Sequence, residues 1–177
     1  FGELTLDLTN VATGSIGYSY TLDANIDHDD LVADSDTFAV VVTDEDGDSA
    51  NGSLVIAITD DGPEAVADTQ TINASATEAT GNVLTNDVPG ADNESTTVVG
   101  VATTAGNLDS AATIGDGTAT GTGVAGTNGT LYMAATGAYT FVPNADAENF
   151  TETFTYTIKD SDGTLSNTTV AITVSDG

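Results

Sequence analysis

Residues 36–61 read DTFAVVVTDEDGDSANGSLVIAITDD, and residues 152–177 read ETFTYTIKDSDGTLSNTTVAITVSDG. The two segments align without a gap at an offset of 116, as from Asp44 to Asp160. Phe38 falls on Phe154, Asp46 on Asp162, Gly47 on Gly163 and Asn51 on Asn167. In the first copy Phe38, Val40 and Val42 point one way and Ala39 and Val41 the other, which is the period of a strand. Both faces are apolar, so the run 38–43 is expected to be central in a sheet. Asp44-Glu45-Asp46-Gly47-Asp48 is a tight acidic loop, Asn51-Gly52 is a turn signal, and residues 53–59 form the closing strand. Repetition of this kind at domain length means an array of modules.

The repeat extends upstream. Gly2-Glu3-Leu4 echoes Gly129-Thr130-Leu131, and Tyr18-Ser19-Tyr20 echoes Tyr139-Thr140-Phe141. Further strand candidates are 3–8, 18–22, 65–72, 82–84, 96–102, 130–133, 138–142, 153–159 and 169–174, with turns or weak strands over the Gly/Thr-rich stretch 115–129. No run carries an amphipathic helical period of useful length. The boundary falls at Thr59-Asp60-Asp61-Gly62-Pro63, where Pro63 restricts the backbone and favours a defined linker. Residues 63–177 read as a complete module. Residues 1–62 show only the last four strands of one, which would leave an open apolar face. The missing strands are expected upstream of Phe1, or to have been removed or separated by an insertion.

Composition sets the limits. The chain has 177 residues, 39% of them hydrophobic, with 19 Gly and no Cys or Trp. That suffices for two small cores and suits strands and turns; no disulfide supports the fold. Against 28 acidic residues stands one basic residue, Lys159, for a formal net charge of -27. Nucleic acid is excluded as a partner, and so is an anionic membrane surface. Self-repulsion on this scale opposes a compact fold unless salt or bound cations relieve it. No apolar run approaches the ~20 residues of a membrane span, and these residues carry no signal-peptide pattern; residue 1 reads as the interior of something larger, so targeting signals are expected outside these residues.

The second module carries, in order, Ala67-Asp68, Asn82-Val83-Leu84-Thr85-Asn86-Asp87, Asp92, Gly129-Thr130-Leu131, residues 137–144 (GAYTFVPN), 154–158 (FTYTI) and Asp160-Ser161-Asp162-Gly163. This resembles the cadherin-like, Ig-like tandem repeats of large bacterial surface adhesins, the type I secreted RTX adhesins. The resemblance covers nearly all of 64–177 and the end of the same pattern in 1–62. It implies an all-β fold of tandem Ig-like β-sandwich modules, calcium at the module junctions, and an extracellular extender or ligand-presenting role at the bacterial cell surface. The chain departs from the pattern at Thr164, where the first module has Asp48, and at Tyr132-Met133.

The clustered acids fit that implication. In a Greek-key sandwich the B–C and F–G loops lie at the pole where the chain enters. Taking 82–84 as strand B puts Asn86, Asp87 and Asp92 in B–C, and Asp160 and Asp162 in F–G. Asp60 and Asp61 arrive at the same pole. Six to eight hard oxygens in irregular geometry suit calcium; zinc prefers His and Cys. Asp44, Asp46 and Asp48 form the matching loop of the first module, expected to face a preceding module. Their spacing resembles the start of an EF-hand loop, but the distal Glu is missing. The partners expected are therefore calcium ions and neighbouring modules of the same chain, with the surface ligand bound by another domain and no insertion into a membrane.

Two rival readings are weaker. A carbohydrate- or peptide-binding module would use loops 23–36 or 115–130, and neither loop offers an aromatic platform. An inserted ligand-binding domain in a split first module is a variant of it. For an enzyme, the acids lie on loops without a cleft, His28 has no catalytic partner, and no constellation supports catalysis. Gly121-x-Gly123-x-x-Gly126 spells a dinucleotide fingerprint but lacks the strand–turn–helix setting.

Overall fold

A computed structural model describes residues 1–9, 14–23, 34–59, 61–90 and 95–176. It separates into two compact units, 1–60 and 61–177.

In unit 1, β1 (Gly2–Asp7) pairs antiparallel with β2 (Gly17–Leu22), and β3 (Asp34–Thr43) pairs antiparallel with β4 (Ser49–Ile58) over its full length. The hairpins meet through Tyr20. Its hydroxyl donates to Asp36 Oδ2 at 2.5 Å, and its ring stands edge-on to Phe38 with centroids 6.2 Å apart. Asp36 also accepts from Gly2 N at 3.1 Å. Along β3, Asp36, Phe38 and Val40 are half-buried and Thr37, Ala39 and Val41 exposed, the alternation of a one-sided strand.

The expectation of a central strand at 38–43 is corrected. Among the described residues β3 has β4 as its one partner, and Val41 and Val42 are exposed. The turn expected at Asn51-Gly52 is also absent. These residues lie inside β4, opposite Val41 and Val40. The reversal occurs at 44–48 instead, where Asp44 Oδ1 accepts from Asp46 N and Asp48 N and Gly47 takes φ 93°. That loop fixes the register, and the Asn-Gly pair is carried into the ladder by it.

Among its described residues unit 2 has eight strands: β5 (Asp68–Asn73), β6 (Ala79–Asn82), β7 (Thr97–Ala102), β8 (Gly123–Ala125), β9 (Gly129–Met133), β10 (Ala138–Pro143), β11 (Phe150–Lys159) and β12 (Leu165–Ser175). They form two four-stranded sheets, ordered β6-β10-β9-β8 and β5-β12-β11-β7. Every pairing is antiparallel except β5 on β12. The inward residues alternate as the pleat requires: Leu131 and Met133, Tyr139 and Phe141, Phe154, Tyr156 and Ile158, Val170 and Ile172. Phe141 of one sheet meets Phe154 of the other edge to face, with centroids 6.0 Å apart. This is an all-β, Ig-like sandwich.

Strand B differs from the expected 82–84. β6 ends at Asn82, and Val83–Thr85 is a 3-10 turn. The Asn82 side-chain oxygen accepts from Leu84 N at 2.9 Å, so the backbone leaves the ladder for a local cap, and Val83 drops fully into the core. β11 and β12 begin earlier than their apolar runs, because pairing from Phe150↔Val174 to Lys159↔Leu165 extends the ladder through the polar residues. The stretch 115–129 holds the short β8, the first residue of β9, a single bridge from Gly115 to Ala134, and turns.

Topology defines one pole of unit 2. Because β5 runs parallel to β12, residues 61–67 enter β5 at the end where the 160–164 loop enters β12. The loop after β6 returns to that end. Glu64 and Val88 exchange both backbone hydrogen bonds, at 2.9 and 3.0 Å, and Ala65 N donates to Ser166 Oγ at 3.1 Å. Pro63 is buried in this junction.

Candidate metal centre

Two acidic pairs form at the entry pole. The first is built on Tyr156, whose side chain is fully buried. Its hydroxyl lies 2.9 Å from Asp68 Oδ2, 3.1 Å from Asp87 Oδ1 and 3.1 Å from the Val66 carbonyl. It carries one proton, so it satisfies one of these acceptors at a time. Asp87 Oδ1 also accepts from Val66 N at 2.7 Å, and Asn86 Nδ2 donates to the Val66 carbonyl at 3.1 Å. Asn86 and Asp87 thus clamp the entry segment. Burial pushes the Asp68 and Asp87 carboxyls above the ordinary range, and Asp87's charge adds to the effect on Asp68. The Tyr156 hydroxyl is raised by burial first and then by both carboxylates.

The second pair sits in the β11–β12 loop. Asp160 is 6% exposed. Its Oδ1 accepts from Gly163 N at 3.0 Å and Thr164 N at 2.7 Å, closing the loop while Gly163 takes φ 104°. Its Oδ2 is buried and accepts no hydrogen bond. Burial, and then the neighbouring Asp162 carboxyl, pushes Asp160 up to about 6. An ionised carboxylate oxygen buried without a donor is costly; a proton or a cation relieves it. The donor set at this pole is hard oxygen throughout, which fits calcium and not zinc.

The sequence-predicted residues are thus distributed as follows. Asp87 is brought to Asp68, and Asp160 to Asp162. Asp61 is exposed, while its backbone carbonyl passes so close to Gly90 (φ 87°) that a Cβ there would lie 2.2 Å from it. Among the described residues no group of three or more acidic or histidine side chains gathers closely enough to hold a metal ion. Asp60, Asp92 and His28 lie outside the described residues. Asp44, Asp46 and Asp48 are exposed in unit 1 around the Asp44 turn. Asp68 was not among the residues expected at the site. Its signal is parity: in β5 it shares the inward face with Gln70 and Ile72, an unusual place for an acid.

Other motifs resolve as structure. Gly123 lies where a Cβ would meet the Tyr132 ring at 2.6 Å, and Gly126 where it would meet Glu152 Oε1 at 2.4 Å. The fingerprint glycines are therefore close-approach positions beside β9 and β11, with no helix after them.

Comparison with known proteins agrees with this architecture. The profile of the family described as Bacterial Ig domain matches residues 60–173, well over half of the chain. A search of curated proteins finds no match. Domains of this family are structural and non-catalytic, and typically extracellular or at the cell surface. No described helix is long and apolar enough to cross a membrane. With two facing sheets and a profile match across unit 2, the chain belongs to the bacterial Ig domain family.

Proposed function

We propose that the chain is a calcium-stabilised extender of an RTX-type bacterial surface adhesin, exported by type I secretion. It would space a binding tip from the cell in surface attachment and biofilm formation. The observation that carries the calcium reading is the buried, donorless Oδ2 of Asp160 beside Asp162. Asp160 and Asp162 would hold the ion. Asn86, Asp87 and Asp61, on the segments joined by the Glu64–Val88 backbone pair, would supply further oxygens. Calcium supplies the positive charge that the pole's own donors do not. These residues then tie the 61–66 entry segment and the 160–164 loop to the sandwich and reduce the repulsion of a chain with net charge -27. The partners of this reading are calcium ions and neighbouring modules of the same chain.

Thermal unfolding tests it. For the intact chain at pH 7.5, millimolar calcium is expected to raise the melting temperature of unit 2 by about 10 °C over excess EGTA. This takes a ligand at ~100 times its Kd, worth about 2.7 kcal/mol, and the usual shift for a domain near 100 residues. Magnesium at equal concentration should do much less. Superimposable curves in EGTA and calcium would remove the proposal.

A further inference from the structure

Unit 1 and the second half of unit 2 share their strands and also their side-chain bonds. Asp44 Oδ1 accepts from Asp48 N at 2.9 Å, and Asp160 Oδ1 accepts from Thr164 N at 2.7 Å. Gly47 and Gly163 both take positive φ, 93° and 104°. Glu152 accepts from Thr127 N and Asn128 N ahead of β9, and its counterpart Asp36 accepts from Gly2 N at the start of β1. Hence β1–β4 correspond to β9–β12, strand by strand.

Their burial diverges. Leu6 is 52% exposed and its counterpart Met133 0%; Val42 is 58% exposed and Ile158 0%; Tyr18 is 55% exposed and Tyr139 6%. The difference is supplied in unit 2 by residues 63–125. β6 pairs β10, β8 pairs β9, β7 pairs β11 and β5 pairs β12. The same segment puts Ala79, Val83, Val98 and Val101 into the core. Exposed apolar residues on this scale mark a surface built to be covered.

We infer that the open face and edges of unit 1 are the docking surface for a segment of the 63–125 type. Such a segment would pair with β1–β4 as β5–β8 pair with β9–β12. The occupant is strand-forming chain of this repeat, with Val-like residues at the places of Val83, Val98 and Val101. Its arrival would bury Leu6, Tyr18 and Val42. Asp44 would then be buried as Asp160 is.

The test is hydrogen exchange by mass spectrometry on residues 1–177, compared with the same chain carrying a second copy of residues 63–127 ahead of Phe1. Phe1 then takes the place of Asn128. Amides of β1–β4 should slow by at least about tenfold on extension, toward the level of β9–β12, which report correct folding in the same molecule. Binding of an apolar dye should fall. A copy carrying Val83→Asp and Val98→Asp should do neither. The inference is overturned if β1–β4 are already as protected as β9–β12 in the unextended chain. It is also overturned if extension leaves β1–β4 unchanged while β9–β12 stay protected, or if the charged copy protects equally. Protection that rises with concentration in the unextended chain would replace it with self-association.

Discussion

Phe154→Ala lowers the stability of unit 2 by about 3–5 kcal/mol, read from the midpoint of chemical unfolding of the intact chain. The ring is fully buried between the sheets, edge-on to Phe141 at 6.0 Å, and Gly126 approaches so closely that a Cβ there would lie 2.9 Å from it. Removing a phenyl ring from such a site costs its transfer free energy and the cavity left behind. A domain typically holds only about 5–15 kcal/mol in total, so the loss is a large share. Phe38→Ala, at the equivalent and only half-buried place in unit 1, should cost clearly less. A loss under about 1 kcal/mol for Phe154→Ala would mean the two sheets do not pack face to face.

Asp160→Asn is expected to change sign with calcium. Asparagine keeps an oxygen for Gly163 N and Thr164 N and removes the charge from the buried carboxyl. Burial, and then the neighbouring Asp162 carboxyl, push Asp160 in the folded chain up to about 6 from its ordinary 3.8. Folding therefore favours its protonated form. That contribution to stability is complete below about 3.8 and is lost as pH rises through about 6. Asp68 and Asp87, raised by burial, act in the same direction. In EGTA at pH 7.5 the variant should melt at or above the parent, and depend less on pH between 4 and 7. In millimolar calcium it should melt several degrees below the parent, because it has lost a carboxylate ligand. Equal destabilisation in both buffers would reduce Asp160 to a loop-closing residue.

Much of this was legible in the chain. The period-two runs at 38–43, 130–133, 138–142 and 153–159 all lie in strands, because successive side chains alternate between the two faces of a sheet. The acidic turns at 44–48 and 160–164 were legible because an Asp followed by Gly at a fixed offset closes a loop on its own side chain. What local pattern does not carry is long-range competition. Asn51-Gly52 has the composition of a turn, but the register imposed by Asp44 places it in β4. Val83 has the composition of a strand, but the Asn82 cap turns it inward. Asp68 becomes part of the pole only through a hydroxyl 88 residues away, a consequence of β5 lying parallel on β12.

Calcium titration by calorimetry of the intact chain, at pH 7.5 after chelator removal, is the most direct measurement on the central claim. The account predicts saturable binding of at least one calcium per chain, and loss of that site in the Asp160→Asn, Asp162→Asn double variant, whose β9–β12 amides remain protected. A flat titration for the parent, or binding unchanged in the double variant, would contradict calcium at the entry pole.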